Sequence, residues 1–110
     1  EHYLALIDSA CSALDIPVIA SLNGATDSGW IDLADQLAAA GASAIELNLY
    51  HLPLDLRQSG SAVEQATVSL VRRLRTTLDV PLAVKLNPYY SAFGQMAQAS
   101  LAAGTRCACQ

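Results

Sequence analysis

The chain reads as an α/β protein, a partial (β/α)₈ (TIM) barrel of about three βα units behind a leading helix. Helical and strand patterns alternate along the 110 residues, which requires parallel pairing and right-handed crossovers. Three segments also align without a gap: Pro17-Val-Ile-Ala-Ser-Leu-Asn23, Ala42-Ser-Ala-Ile-Glu-Leu-Asn48 and Pro81-Leu-Ala-Val-Lys-Leu-Asn87. Each closes with a polar residue, a leucine and an asparagine. A doubly wound nucleotide site would want a glycine-rich turn after a strand. Asn23-Gly24-Ala25-Thr26 carries a single glycine, and polar residues recurring inside the strand ends suit a barrel interior better.

Leu4, Ile7, Cys11 and Leu14 give the first helix one apolar stripe, which Asp15 and Pro17 break before the first strand. Asp27 or Ser28 can cap the second helix, whose inner face is Trp30, Leu33, Ala34, Leu37 and Ala38, with Gly41 closing it. Ser61 and Glu64 have the spacing of a capping box for the third helix, followed by Val63, Leu70, Val71, Leu74 and Leu78 on or near one face. The last helix is expected from about Ser91 to Ala103, with Phe93, Met96, Ala97 and Leu101 inward and Gly104 ending it. The connection from Tyr50 to Gly60 is long for a strand-to-helix loop and is expected to be irregular and to cover the carboxyl edge of the sheet.

The strand endings carry the functional argument. Side chains alternate across a strand, so Leu22, Leu47 and Leu86 face one way. Ser21, Glu46 and Lys85 face the other, with Asn23, Asn48 and Asn87. Ligands of parallel α/β proteins bind beyond the carboxyl ends of the strands, where these polar pairs gather. Lys85 stands out because its strand is otherwise apolar, and an ammonium group buried without a partner is costly. The structural alternative is a satisfied Glu46–Lys85 ion pair with the asparagines serving as turn residues.

Composition narrows the function classes. Over half of the residues are hydrophobic, which excludes a disordered chain, and the net charge of −4 with six basic residues argues against nucleic acid or an anionic membrane as partner. Arg72, Arg73 and Arg75 lie together on the third helix, as a solvated face would. No apolar run approaches a bilayer span and no basic signal region opens the chain, so a cytoplasmic location is expected. The three cysteines Cys11, Cys107 and Cys109 have no framework spacing, and Cys107-Ala-Cys109 lacks the second cluster that a metal site needs.

A complete barrel takes about 250 residues, so the chain is expected to be a fragment. Residues 1–104 form the barrel segment. A further strand is due after Gly104, yet Thr105-Arg-Cys-Ala-Cys-Gln110 is not strand-like, and residues 105–110 are read as a tail foreign to the pattern, the product of a frameshift or truncation. The underlying nucleotide sequence would test this.

Ile16-Pro-Val-Ile-Ala-Ser-Leu-Asn-Gly24 with Trp30, then Ala44-Ile-Glu-Leu-Asn48, then Val84-Lys-Leu-Asn-Pro-Tyr89 resembles the dihydroorotate dehydrogenase family. The likeness runs over nearly the whole chain to Gly104. It implies an FMN-dependent (β/α)₈ barrel oxidoreductase of pyrimidine biosynthesis, with a small cyclic substrate and FMN at the carboxyl edge. It implies that Lys85 contacts the flavin ring near N1 and the C2 carbonyl, that Asn48 reaches flavin and substrate, and that Ser21 faces the same cofactor. The first strand and the phosphate-binding strands of such a barrel have no counterpart here, so FMN is expected to need more chain than this.

The departure lies in the loop after Asn48, which reads Leu49-Tyr50-His51-Leu52-Pro53-Leu54. It is one residue longer before the proline than the family loop. The cysteine or serine that would take the substrate's proton is missing, and Leu54 replaces the asparagine that would read the pyrimidine. His51 is the candidate base, since imidazole titrates near working pH. An ordinary loop histidine is the alternative. Two other readings stay open: a Schiff-base aldolase or lyase barrel using Lys85, and a non-catalytic half-barrel pairing through its bare edges. The resemblance also admits a homodimeric parent.

Overall fold

The computed structural model describes residues 2–23, 27–50 and 53–109. The elements are α1 (His2–Ala13), β1 (Ile19–Leu22), α2 (Asp27–Ala39), β2 (Ala44–Leu49), α3 (Gly60–Thr77), β3 (Leu82–Leu86), α4 (Phe93–Ala102) and β4 (Cys107–Cys109). The strands form one sheet in the order β1-β2-β3-β4, with every neighbouring pair parallel. Consecutive strands as neighbours, with no reversal of strand order, are the arrangement of a barrel wall and not of a doubly wound sheet.

Alternation divides the sheet into two faces. Ala20, Leu22, Ile45, Leu47, Leu49, Leu82, Val84 and Leu86 are buried, and they form one core with Trp30, Ala34 and Leu37 of α2, Leu70, Val71 and Leu74 of α3, and Met96 of α4. The opposite face, carrying Ser21, Ala44, Glu46, Asn48, Ala83 and Lys85, is only half-buried. Register arranges it in layers. Ile19 pairs with Ala44; Ser21, Glu46 and Ala83 form the next row; Asn48 and Lys85 form the row at the carboxyl edge, with the β4 backbone paired beside Ala83 and Lys85.

Helix endings follow local chemistry. Gly41 has φ +106°, and its N–H and that of Ala42 donate to the carbonyls of Ala38 and Leu37, which otherwise lack partners at the end of α2. Gly104, with φ +109°, closes α4 in the same way.

Several expectations are corrected. The cap of α3 is Ser59, whose Oγ accepts from the Ala62 N–H at 3.2 Å, so the helix starts before Ser61 and Glu64 does not occupy the capping-box position. Leu14 lies beyond α1 and is exposed, and α4 starts at Phe93. Leu101 is exposed and Ser100 takes the inward position, its hydroxyl satisfied by the Met96 carbonyl at 3.0 Å. Such a local hydrogen bond makes a small polar residue acceptable where a sequence pattern favours leucine. Arg75 does not belong to a solvated face: its Nη1 donates to the carbonyls of Leu78 and Val80 at 3.0 and 2.9 Å, clamping the turn into β3. Finally, the tail is not without a strand, since Cys107–Cys109 adds to the edge of β3. Strand pairing is made by the backbone, so an unpaired neighbouring strand can recruit a segment whose side chains carry no strand signal. Which of Asp27 and Ser28 caps α2 falls outside the described side chains. Among the described residues no helix is long and apolar enough to cross a membrane.

Candidate functional site

The polar side chains of the open face form one connected group. Ser21 and Glu46 are register partners on β1 and β2, and the Ser21 hydroxyl donates to Glu46 Oε1 at 2.9 Å. Asn48, one step further along that face, donates from Nδ2 to Ser21 Oγ at 2.8 Å. Lys85 is the register partner of Asn48 on β3, and its Nζ lies 3.8 Å from Glu46 Oε1. These contacts, spread over the neighbouring strands β1, β2 and β3, bring Ser21, Glu46, Asn48 and Lys85 together on their shared strand face. Lys85 is less enclosed than a fully buried strand position would make it, with 36% of its side chain exposed on this face.

Asn48 Oδ1 is buried and has no hydrogen-bond partner. A buried acceptor without a donor is uncommon. Here it sits beside a lysine with three N–H donors.

The asparagines at the other strand ends take different places. Asn23 is exposed past β1. Asn87 is buried just past β3, its Oδ1 accepting from the Tyr89 N–H at 3.0 Å and its Nδ2 donating to the Leu49 carbonyl at 3.5 Å. It therefore ties the ends of β2 and β3 together as a turn residue. His51 lies outside the described residues. Of the loop that it opens, residues 53–59 have no helix or strand. They turn at Asp55, whose carboxylate accepts from the Arg57 backbone and guanidinium at 3.0–3.1 Å. The Arg57 side chain holds the Asp55 carboxyl below the usual carboxylate range, and the backbone bond adds to that.

Sequence reasoning missed one contact. Tyr3, near the start of α1, donates from its hydroxyl to the Ser21 carbonyl at 2.6 Å and lines a hollow with Leu22, Asn23 and Leu33 at the end of β1. Nothing in the local pattern around Tyr3 signals it, because the partners lie 18 residues apart in the chain.

No protein-family model matches the sequence. Among curated proteins, the chain is 38% identical over 96 residues to an Aeropyrum pernix protein provisionally named dihydroorotate dehydrogenase A (fumarate), a match spanning 83% of the chain and 30% of the relative. It is 32% identical over 94 residues to the catalytic subunit of dihydroorotate dehydrogenase B (NAD(+)) of Anoxybacillus flavithermus, spanning 82% of the chain and 30% of that relative. The crystal structure of a Pseudomonas aeruginosa protein provisionally named dihydrodipicolinate synthetase superposes with a TM-score of 0.60 over 97% of the chain and 51% of its own, at 15% identity, a likeness of fold alone. The chain spans about 30% of the length of the curated relatives it matches. The chain is thus similar in sequence to a segment of these dihydroorotate dehydrogenases, and in fold it is part of a parallel β/α barrel.

Proposed function

We propose that the full-length protein is an FMN-dependent dehydrogenase of the dihydroorotate dehydrogenase type, acting on a C–C bond of a small cyclic substrate, dihydroorotate or a related molecule. The observation that carries this reading is the unpartnered, buried Asn48 Oδ1 beside its register partner Lys85, on the open face of the sheet at the carboxyl edge. An orphan acceptor next to a cationic donor matches the alternating N–H and carbonyl edge of a flavin's pyrimidine ring, so the residues present fit the group. When bound, FMN supplies the acceptor for a hydride from the substrate carbon.

This chain's own residues bind, orient and balance charge. Lys85 offers a cation where negative charge collects on reduction, and a charge fixed in place before reaction loses no energy to reorganisation. Asn48 supplies an amide held from below by Ser21, so its orientation is set before a ligand arrives. Ser21 joins β1 to the same group and reaches the ligand through Asn48. His51, which follows β2 in the sequence, takes or gives the substrate proton.

The full-length protein should carry a visible flavin absorption after gel filtration, and Lys85→Met should weaken retention of the flavin. A colourless protein whose lysine is trapped by borohydride with a carbonyl substrate would refute the reading in favour of Schiff-base chemistry.

A further inference from the structure

Glu46 has a place in this group that the dehydrogenase reading leaves unexplained. It stands on the open face one row below Asn48 and Lys85, about 7 Å along the strand. Its Oε1 is fixed by the Ser21 hydroxyl at 2.9 Å. Ser21 is itself fixed, by Asn48 Nδ2 at 2.8 Å on its hydroxyl and by the Tyr3 hydroxyl at 2.6 Å on its carbonyl. By contrast, Lys85 Nζ lies 3.8 Å from that oxygen, within ion-pair range and beyond hydrogen-bond length. The carboxylate is thus anchored by neutral groups, while the ammonium is held by charge alone at the end of a flexible stem.

We infer that Glu46 is a positioning residue for Lys85. It draws the ammonium down from the carboxyl edge until a ligand is present, and it stays behind as a fixed negative charge when Lys85 moves up. The inference rests on the FMN reading. A carboxylate one row beneath the flavin ring disfavours the anionic, reduced cofactor through the same electrostatics by which Lys85 favours it. The pair therefore sets how strongly the site prefers reduced over oxidised flavin, with Lys85 and Glu46 acting in opposite directions.

The test is a redox titration of the full-length flavoprotein, followed by flavin absorbance, for the wild type, Glu46→Gln and Glu46→Asp. Removing the charge should strengthen binding of reduced relative to oxidised flavin by about tenfold, a rise of about 30 mV for a two-electron couple. Glu46→Asp keeps the charge and should stay near the wild type, whereas a purely structural role would tolerate the isosteric glutamine better than the shorter aspartate. If Glu46→Gln does not fold, Glu46→Ser, which still offers Ser21 a hydroxyl, should raise the potential in the same sense. A flavoprotein whose potential is unmoved or lowered by these charge-removing variants overturns the inference alone. A full-length protein without flavin overturns the FMN reading and this inference together.

Discussion

Gly104→Ala should be among the most damaging single-atom additions to this chain, and its cost should depend on Arg75. Gly104 has φ +109°, a conformation that costs an L-residue about 1–2 kcal/mol. A Cβ there would stand 2.6 Å from Arg75 Cγ and 3.3 Å from its Cδ, too close for the arginine stem to stay. The guanidinium that would be displaced donates through one nitrogen to the carbonyls of Leu78 and Val80. A hydrogen bond from a charged group contributes about 1.5–3 kcal/mol, and two sharing one nitrogen contribute less than twice that. Gly104→Ala should therefore destabilise by about 3–5 kcal/mol, the backbone and side-chain contributions together. Arg75→Ala removes the clash, since the Arg75 Cβ is 3.6 Å from the new methyl, an ordinary contact. In that background Gly104→Ala should cost only the backbone share of about 1–2 kcal/mol. Urea unfolding of the full-length protein, the two single variants and the double variant, followed by far-UV circular dichroism, gives the four stabilities. Additivity of the two substitutions to within about 0.5 kcal/mol would refute the reasoning.

Three further outcomes are expected. In the proposed flavin dehydrogenase, His51→Ala should lower turnover at least tenfold while leaving flavin absorption intact, general acid–base groups contributing about 10²–10⁴-fold; unchanged turnover would make His51 a bystander. The Asp55–Arg57 turn should be pH-dependent in one direction: a carboxyl held below its ordinary value of 3.8 supports the turn above that value, and the support is lost as pH falls through the lowered one. The Arg57 Nε–H resonance should then be constant from pH 7 to 5, and a transition inside that range would contradict the pairing. Ser100→Leu should destabilise by about 1–3 kcal/mol through overpacking, whereas Leu101→Ala should stay within about 0.5 kcal/mol as an exposed change; reversed costs in thermal unfolding would restore the register read from the sequence pattern.

The strand-level architecture was legible in the sequence because it rests on a period of two. Three gap-free repeats place Ser21, Glu46, Asn48 and Lys85 on the face opposite Leu22, Leu47 and Leu86, and the parallel register keeps them there. That Lys85 lies near Asn48 and within reach of Glu46 needs that alternation together with the register of β2 and β3. The helices were legible where apolar spacing is strong, as in α3, and less so at their ends. Ser59 caps α3 because its own hydroxyl meets a nearby amide, a choice between closely spaced serines that a spacing rule cannot make.

Tertiary structure decided whatever depends on a partner distant in the chain. The arginine that looks solvated on its own helix is an anchor, because the turn into β3 brings two carbonyls to it. Asn87 resembles Asn48 in sequence but closes a turn, because β3 ends one residue before it whereas β2 continues past Asn48. The strand at Cys107–Cys109 exists through backbone pairing with β3 and leaves no mark in side-chain pattern. The sequence by itself determined which residues share a face, since alternation is a property of the local backbone. Only the tertiary structure decided which of them touch, since contact requires crossovers to bring separate strands into register.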